Sequence, residues 1–157
     1  TGLRLASAFV EGIVFGDKSA SSKGIPSALA MARAASEGAN KAKIAVLHDA
    51  RNKEAVLFAA MKDGGEFTAA SEPVIIGADN ADEALAGHDF YAAPKADMAA
   101  LAEILPREIV EKTVAFEHFP VAALLILADG KATSRPADLL YSRPSVFVKP
   151  KEFREII

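Results

Sequence analysis

The residues Leu3 to Gly16, LRLASAFVEGIVFG, constrain this chain more than any others. Leu3, Ala6, Val10, Ile13 and Val14 fall on one stripe at helical spacing, and Leu5 and Phe9 widen it toward an all-round apolar surface. Gly16 offers a residue that can take the left-handed conformation closing a helix. Such a helix cannot stay bare in water. Burying a Leu, Ile, Val or Phe side chain contributes about 1.5–3 kcal/mol, so six or seven together represent on the order of 10 kcal/mol. Another lobe, a second copy or a partner must cover it, and that requirement is the first indication of function.

The rest of the chain can build a core of its own. Of its 157 residues 51% are apolar and 25% are charged, with both signs interspersed. That balance belongs to globular sequences rather than disordered ones and allows one domain or one and a half. The longest apolar run, Val121 to Ala128, is too short to cross a bilayer and stops at Asp129-Gly130. Cysteine is absent, which excludes a disulfide framework and thiolate metal sites. A formal net charge of −3 argues against this chain gripping a nucleic-acid backbone by itself. No targeting peptide is legible, and a cytoplasmic setting without a membrane span is the expectation.

Local signals mark the elements in turn. Lys18 to Gly24 reads as a loop, and Pro26 opens a second helix through about Ser36, with Gly38 beyond its end. Lys43–Leu47 and Glu54–Met61 read as strands of a hairpin whose turn is His48 to Lys53. Asp63-Gly64-Gly65 is a second turn, and Glu66 to Ile76 a third strand broken around Ser71-Glu72-Pro73. Asp79 to Ala86 reads as a short helix with acidic capping residues, His88 to Ala92 as a strand and Lys95 to Leu105 as a helix. Pro120 to Ala128 is a further helix, with Pro at its start and Gly130 at its stop. Ala137–Arg143 and Ser145–Val148 read as extended segments. The order predicts an α/β fold, a mixed sheet with flanking helices. A hairpin run with helices closing over it fits a ribonuclease H-like lobe, among several sheet–helix folds.

Few motifs carry chemistry. Gly12 to Ser19 (GIVFGDKS) looks like a phosphate loop, but Asp17 stands where the glycine before the Lys-Ser pair belongs. A carboxylate there repels phosphate, and a helix rather than a strand precedes it. Asp49-Ala50-Arg51 has two readings. The pair can hold an anion or nucleotide at a strand end, or Asp49 can accept turn amides while Arg51 pairs with Glu54 or another acid. The second carries more weight, because no other phosphate-binding element accompanies it. His48, His88 and His118 are scattered without zinc-site spacing, so neither a metal nor a cofactor is expected. The adjacent pair Glu117-His118 is thin ground for acid–base chemistry, and Thr1 for an amino-terminal nucleophile. Arg143, Lys149, Lys151 and Arg154 make a mildly basic tail that Glu152 and Glu155 dilute.

Three stretches in order carry a family resemblance: Thr1-Gly2-Leu3-Arg4-Leu5-Ala6 before the apolar helix, Asp49-Ala50-Arg51 ahead of Glu54, and Leu140-Tyr141-Ser142-Arg143-Pro144. Together they resemble the TsaB (YeaZ) family, inactive relatives of TsaD in the actin-like ATPase superfamily. Ser142 stands where that family usually has Leu. The family's first strands, first helix and Gly-Pro-Gly-Ser-Phe turn have no counterpart here. The expectation is therefore a family member lacking much of its N-terminal lobe, with 1–38 the helical remainder and 39–157 a C-terminal ribonuclease H-like lobe.

The resemblance implies a role in making threonylcarbamoyladenosine on tRNA without catalysing the transfer. The chain would bind the catalytic homologue TsaD through its first helix, with Leu3, Arg4, Ser7 and Glu11 at the partner-facing edge. The ATPase TsaE would join through the complex, and tRNA would be met only indirectly. Apart from the resemblance, the apolar surface of the uncovered first helix predicts that the lone chain pairs as a homodimer. Asp49, Arg51, Glu54, Tyr141 and Arg143 would be structural family-motif positions. The rival is an ATP-dependent or peptidase-like enzyme of the same glycoprotease-like superfamily.

Overall fold

Alternating side chains in two long neighbouring stretches set up the centre of the molecule. In the computed structural model, which describes residues 2–17, 19–20, 22 and 24–129 and side chains from residue 5 onward, these stretches are β1 (Lys41–Arg51) and β2 (Glu54–Asp63). They pair antiparallel from Lys41 opposite Asp63 to Arg51 opposite Glu54. The sequence signal ends β1 at Leu47. The strand instead runs on to Arg51 and the turn narrows to Asn52-Lys53, because the polar residues from His48 onward pair across the hairpin rather than looping out.

The outer edge of β2 carries two short strands end to end. β3 (Glu66–Ala69) pairs with Ala60–Asp63 and β4 (Val74–Ile76) with Ala55–Leu57, so the third strand breaks at the Ser71–Pro73 stretch as its proline suggested. On the other side of β1 lie β5 (Phe90–Pro94) and then β6 (Thr113–Phe116), both parallel. The result is a six-stranded mixed sheet in the order β3-β2-β1-β5-β6, with β4 also on β2. The strand expected at His88–Ala92 begins two residues later, because Asp89 is tied to Lys43 instead. The Lys43 amide donates to the Asp89 carboxylate and the Asp89 amide to the Lys43 carbonyl, each at 2.8 Å.

Each face of the sheet has its own helical cover. Ile44, Val46, Phe58, Ala60 and Ala92 pack against α2 (Ser27–Ala35) and α6 (Val121–Asp129). Ala45, Leu47, Leu57, Tyr91 and Ala93 pack against α3 (Ala81–Leu85), α4 (Met98–Leu101) and α5 (Arg107–Lys112). Residues 28–32 thus share one core with the sheet. α2 closes where Ser36, fully buried, donates its hydroxyl to the Ala32 carbonyl at 2.8 Å, while Lys62 caps the Ser36 carbonyl at 2.8 Å.

The helix expected over Lys95–Leu105 is broken up. A 3₁₀ turn (Lys95–Asp97) leads into the short α4, after which Glu103 and Ile104 bond back three residues instead of four. That tighter winding lets the adjacent Ile104 and Leu105 both enter the core. Two elements were not expected from the sequence, α5 and β6, although Pro106, Glu108 in the first turn and Lys112 in the last are helix signals for α5. Thr113 passes directly from one to the other, its hydroxyl donating to the Ile109 carbonyl at 2.7 Å.

α1 (Gly2–Gly16) forms as its periodicity predicts but closes differently. Gly16 does not take the left-handed conformation; among the described glycines that falls to Gly38, Gly64 and Gly87. Asp17 ends the helix instead, continuing the bonding to the Ile13 carbonyl at 2.9 Å and accepting from Ser19 through both its amide and hydroxyl, at 2.9 and 2.6 Å. α1 packs extensively against no other element among the described residues. No helix among them is long and apolar enough to cross a membrane.

Candidate functional site

The hairpin end of β1–β2 gathers Asp49, Arg51 and Glu54, which the sequence singled out. Arg51, Asn52 and Lys53 all take positive φ, at 64°, 55° and 59°, and a bulge at Ala50 shifts the register before them. Left-handed backbone is costly for side chains other than Asn or Gly, so something must hold it. Asp49 does so: its carboxylate accepts the Arg51 amide at 2.7 Å, an Asx-type closure. Arg51 and Glu54 then stand opposite each other across the turn.

Behind the hairpin, the parallel register of β1 with β5 brings in a second acid. Asp97, just past β5, accepts the Asp49 amide at 3.2 Å and lies 3.4 Å from His48 Nδ1. Lys95 and Glu117, beyond the ends of β5 and β6, bridge at 2.9 Å. The carboxyl ends of the parallel strands therefore carry a polar rim, the edge on which open α/β sheets commonly bind ligands. A depression of about 210 Å³ opens there, lined by Asp49, Arg51, Asn52, Lys53, Ala100, Glu103 and Ile104. Its two cations face two acids, and no hydroxyl or thiol lines it. It can hold a small polar group, with the Asp49 carboxylate inside it already accepting the Arg51 amide. No three His, Asp or Glu among the described residues converge as metal ligands. His88 is occupied locally, its Nδ1 lying 3.1 Å from the Leu85 carbonyl.

The other candidate region is α1. Leu3 and Arg4 lie in the helix, their side chains outside what is described, while Ser7 donates to Glu11 at 3.4 Å one turn away. The larger feature is apolar: Leu5, Phe9, Val10, Ile13 and Phe15 are all turned outward, from 42% exposed at Val10 to 83% at Phe15. Phe15 escaped the sequence reading because it lies off the apolar stripe. Asp17 closes the same helix with its carboxyl held below the ordinary 3.8, chiefly by the Ser19 hydroxyl and then by its amide. That carboxylate sits where a phosphate loop would need backbone donors. The family-motif positions Tyr141 and Arg143, and the extended segments expected around them, lie outside the described residues.

Fold and site together define a mixed α/β protein with a polar strand-end hairpin and an uncovered apolar helix. No family model matches the chain, and no curated protein or solved structure is significantly similar to it.

Proposed function

We propose that the chain is a non-catalytic scaffold subunit of the cytoplasmic machinery that makes threonylcarbamoyladenosine on tRNA, and that it acts by binding a TsaD homologue. The observation that carries this reading is α1, five of whose large apolar side chains face outward on the helix that, by resemblance, meets TsaD. The connectivity supports it. An antiparallel meander followed by two parallel strands, each reached through helices, suits a ribonuclease H-like lobe of the actin-like ATPase superfamily. The hairpin chemistry supports it too, since Asp49 and Asp97 spend their carboxylates on backbone amides, as a structural corner does.

The test is the threonylcarbamoyladenosine content of tRNA after the full-length gene product is depleted in its own host, read by nucleoside mass spectrometry. Loss of the modification, restored on re-expression, is the expected result; unchanged content removes the proposal. Pull-down with the host's TsaD homologue separates scaffold from enzyme. Co-elution with the wild-type chain but not with Phe9→Glu fits the scaffold, whereas ATP hydrolysis by the purified chain fits the ATP-using alternative.

A further inference from the structure

The turn that joins β1 to β2 is a strained one. Arg51, Asn52 and Lys53 hold φ of 64°, 55° and 59°, where a side chain crowds the following carbonyl. A two-residue hairpin turn escapes that crowding with glycine at its second position, yet this chain carries Lys53 there. Strained backbone of this kind clusters where side chains are held for a ligand. The side chains of this turn do meet a definite surface. Arg51 and Lys53 line the depression of about 210 Å³ at the strand ends, together with Asp49 of β1 and with Glu103 and Ile104 from the chain just beyond α4.

The charges of that depression are two of each sign. Contacts of opposite charge along the same rim join Asp97 to His48 at 3.4 Å and Lys95 to Glu117 at 2.9 Å, and use none of the four. Asp49 gives one oxygen, Oδ1, to the Arg51 amide at 2.7 Å, which fixes the turn. Such a set disfavours an ion of a single sign: an anion meets two carboxylates, and a cation meets a guanidinium and an ammonium. A molecule that carries both charges satisfies both halves. Ala100 and Ile104 add apolar surface beside them. The depression is smaller than the ~300–1,000 Å³ of sites for drug-sized ligands, so its occupant is small. We propose that it binds a free amino acid with a small apolar side chain. The ligand's carboxylate lies on Arg51 and Lys53, its ammonium on Glu103 and Asp49, and its side chain against Ala100 and Ile104. Binding there is independent of any contact through α1, so this site and the scaffold role can fail separately.

The test follows the amide resonances of the whole isotope-labelled chain during titration with L-alanine and L-valine. The N-acetyl and methyl ester forms of each are titrated in parallel. Saturable shifts at the hairpin turn and around Glu103 are expected, with half-saturation in the millimolar range because the charges stay open to solvent. Each capped form should bind at least ~10-fold more weakly than the free amino acid, having lost one charge-assisted contact. No saturable shift with either amino acid overturns the proposal. An N-acetyl form that binds as well as its parent overturns it in favour of an anion site, and an ester that does so overturns it in favour of a cation site. Lys53→Gly removes a cation while relieving the turn, so the fold survives and binding should weaken several-fold. Glu103→Gln, at an exposed position, should weaken it to a similar extent. Undiminished binding in either folded variant also counts against the site.

Discussion

Three consecutive residues with side chains in left-handed backbone make the hairpin turn the most constrained spot among the described residues. Asn52 tolerates that conformation, but Lys53 does not, and a two-residue turn of this kind prefers glycine at its second position. Lys53→Gly should therefore raise stability by about 0.5–1 kcal/mol, the relief of strain exceeding the entropy glycine adds to the unfolded chain. Urea titration checks it as a higher midpoint at unchanged slope. Asp49→Ala acts in the opposite direction: the Arg51 amide loses its acceptor, at a cost of about 1 kcal/mol in the same titration. Tyr91 behaves differently again. It is buried on β5 and donates to the His88 carbonyl at 3.1 Å; burial, with Glu108 and Asp89 nearby, pushes its phenol above the ordinary 10.0. Its folded value lies above its unfolded one, so its contribution is intact below pH 10.0 and is lost as pH rises through the folded value. Stability measured on either side of pH 10.0 should fall less steeply in Tyr91→Phe than in the wild-type chain.

At the scale of elements, α6 separates what a sequence can tell from what it cannot. Its apolar run and its bounding Pro120 and Asp129-Gly130 are local signals, and they mark the helix within a residue at each end. Which side chains face the core is not local, because every position from 121 to 128 is apolar. The structure assigns Leu127 to the core and Leu125 to the surface. Leu127→Ala should cost about 2–5 kcal/mol, whereas Leu125→Ala should stay within about 0.5 kcal/mol when stability is read at concentrations too low for association. The hairpin strands were legible because their apolar runs and turn residues adjoin in sequence. β6 was not, since Thr113–Phe116 is a four-residue strand whose only pairing among the described residues is with β5, twenty-two residues earlier. The same holds for the site. Asp49, Arg51 and Glu54 were found together because they adjoin, while Asp97 and Glu103 reach them only through the β1–β5 register and the turns after it.

For the molecule as a whole, the distribution of buried surface sets the order in which it comes apart. β1 is paired on both sides, and Ile44 to Leu47 are fully buried across both faces of the sheet. These amides should open only with global unfolding. α1 lies at the other extreme. A helix of 15 residues is marginal by itself in water, and here it packs extensively against nothing else among the described residues. Its persistence depends on being covered, and for this chain alone the expected cover is a second copy. Protection then becomes a matter of mass action. In hydrogen exchange followed by mass spectrometry, α1 should exchange rapidly in dilute protein and slow progressively with concentration, while β1 and β5 stay unchanged. The concentration at half-protection should coincide with the dimer dissociation constant from sedimentation, and Phe9→Glu should leave α1 fast throughout. Protection of α1 that ignores concentration would mean the helix is covered from within its own chain.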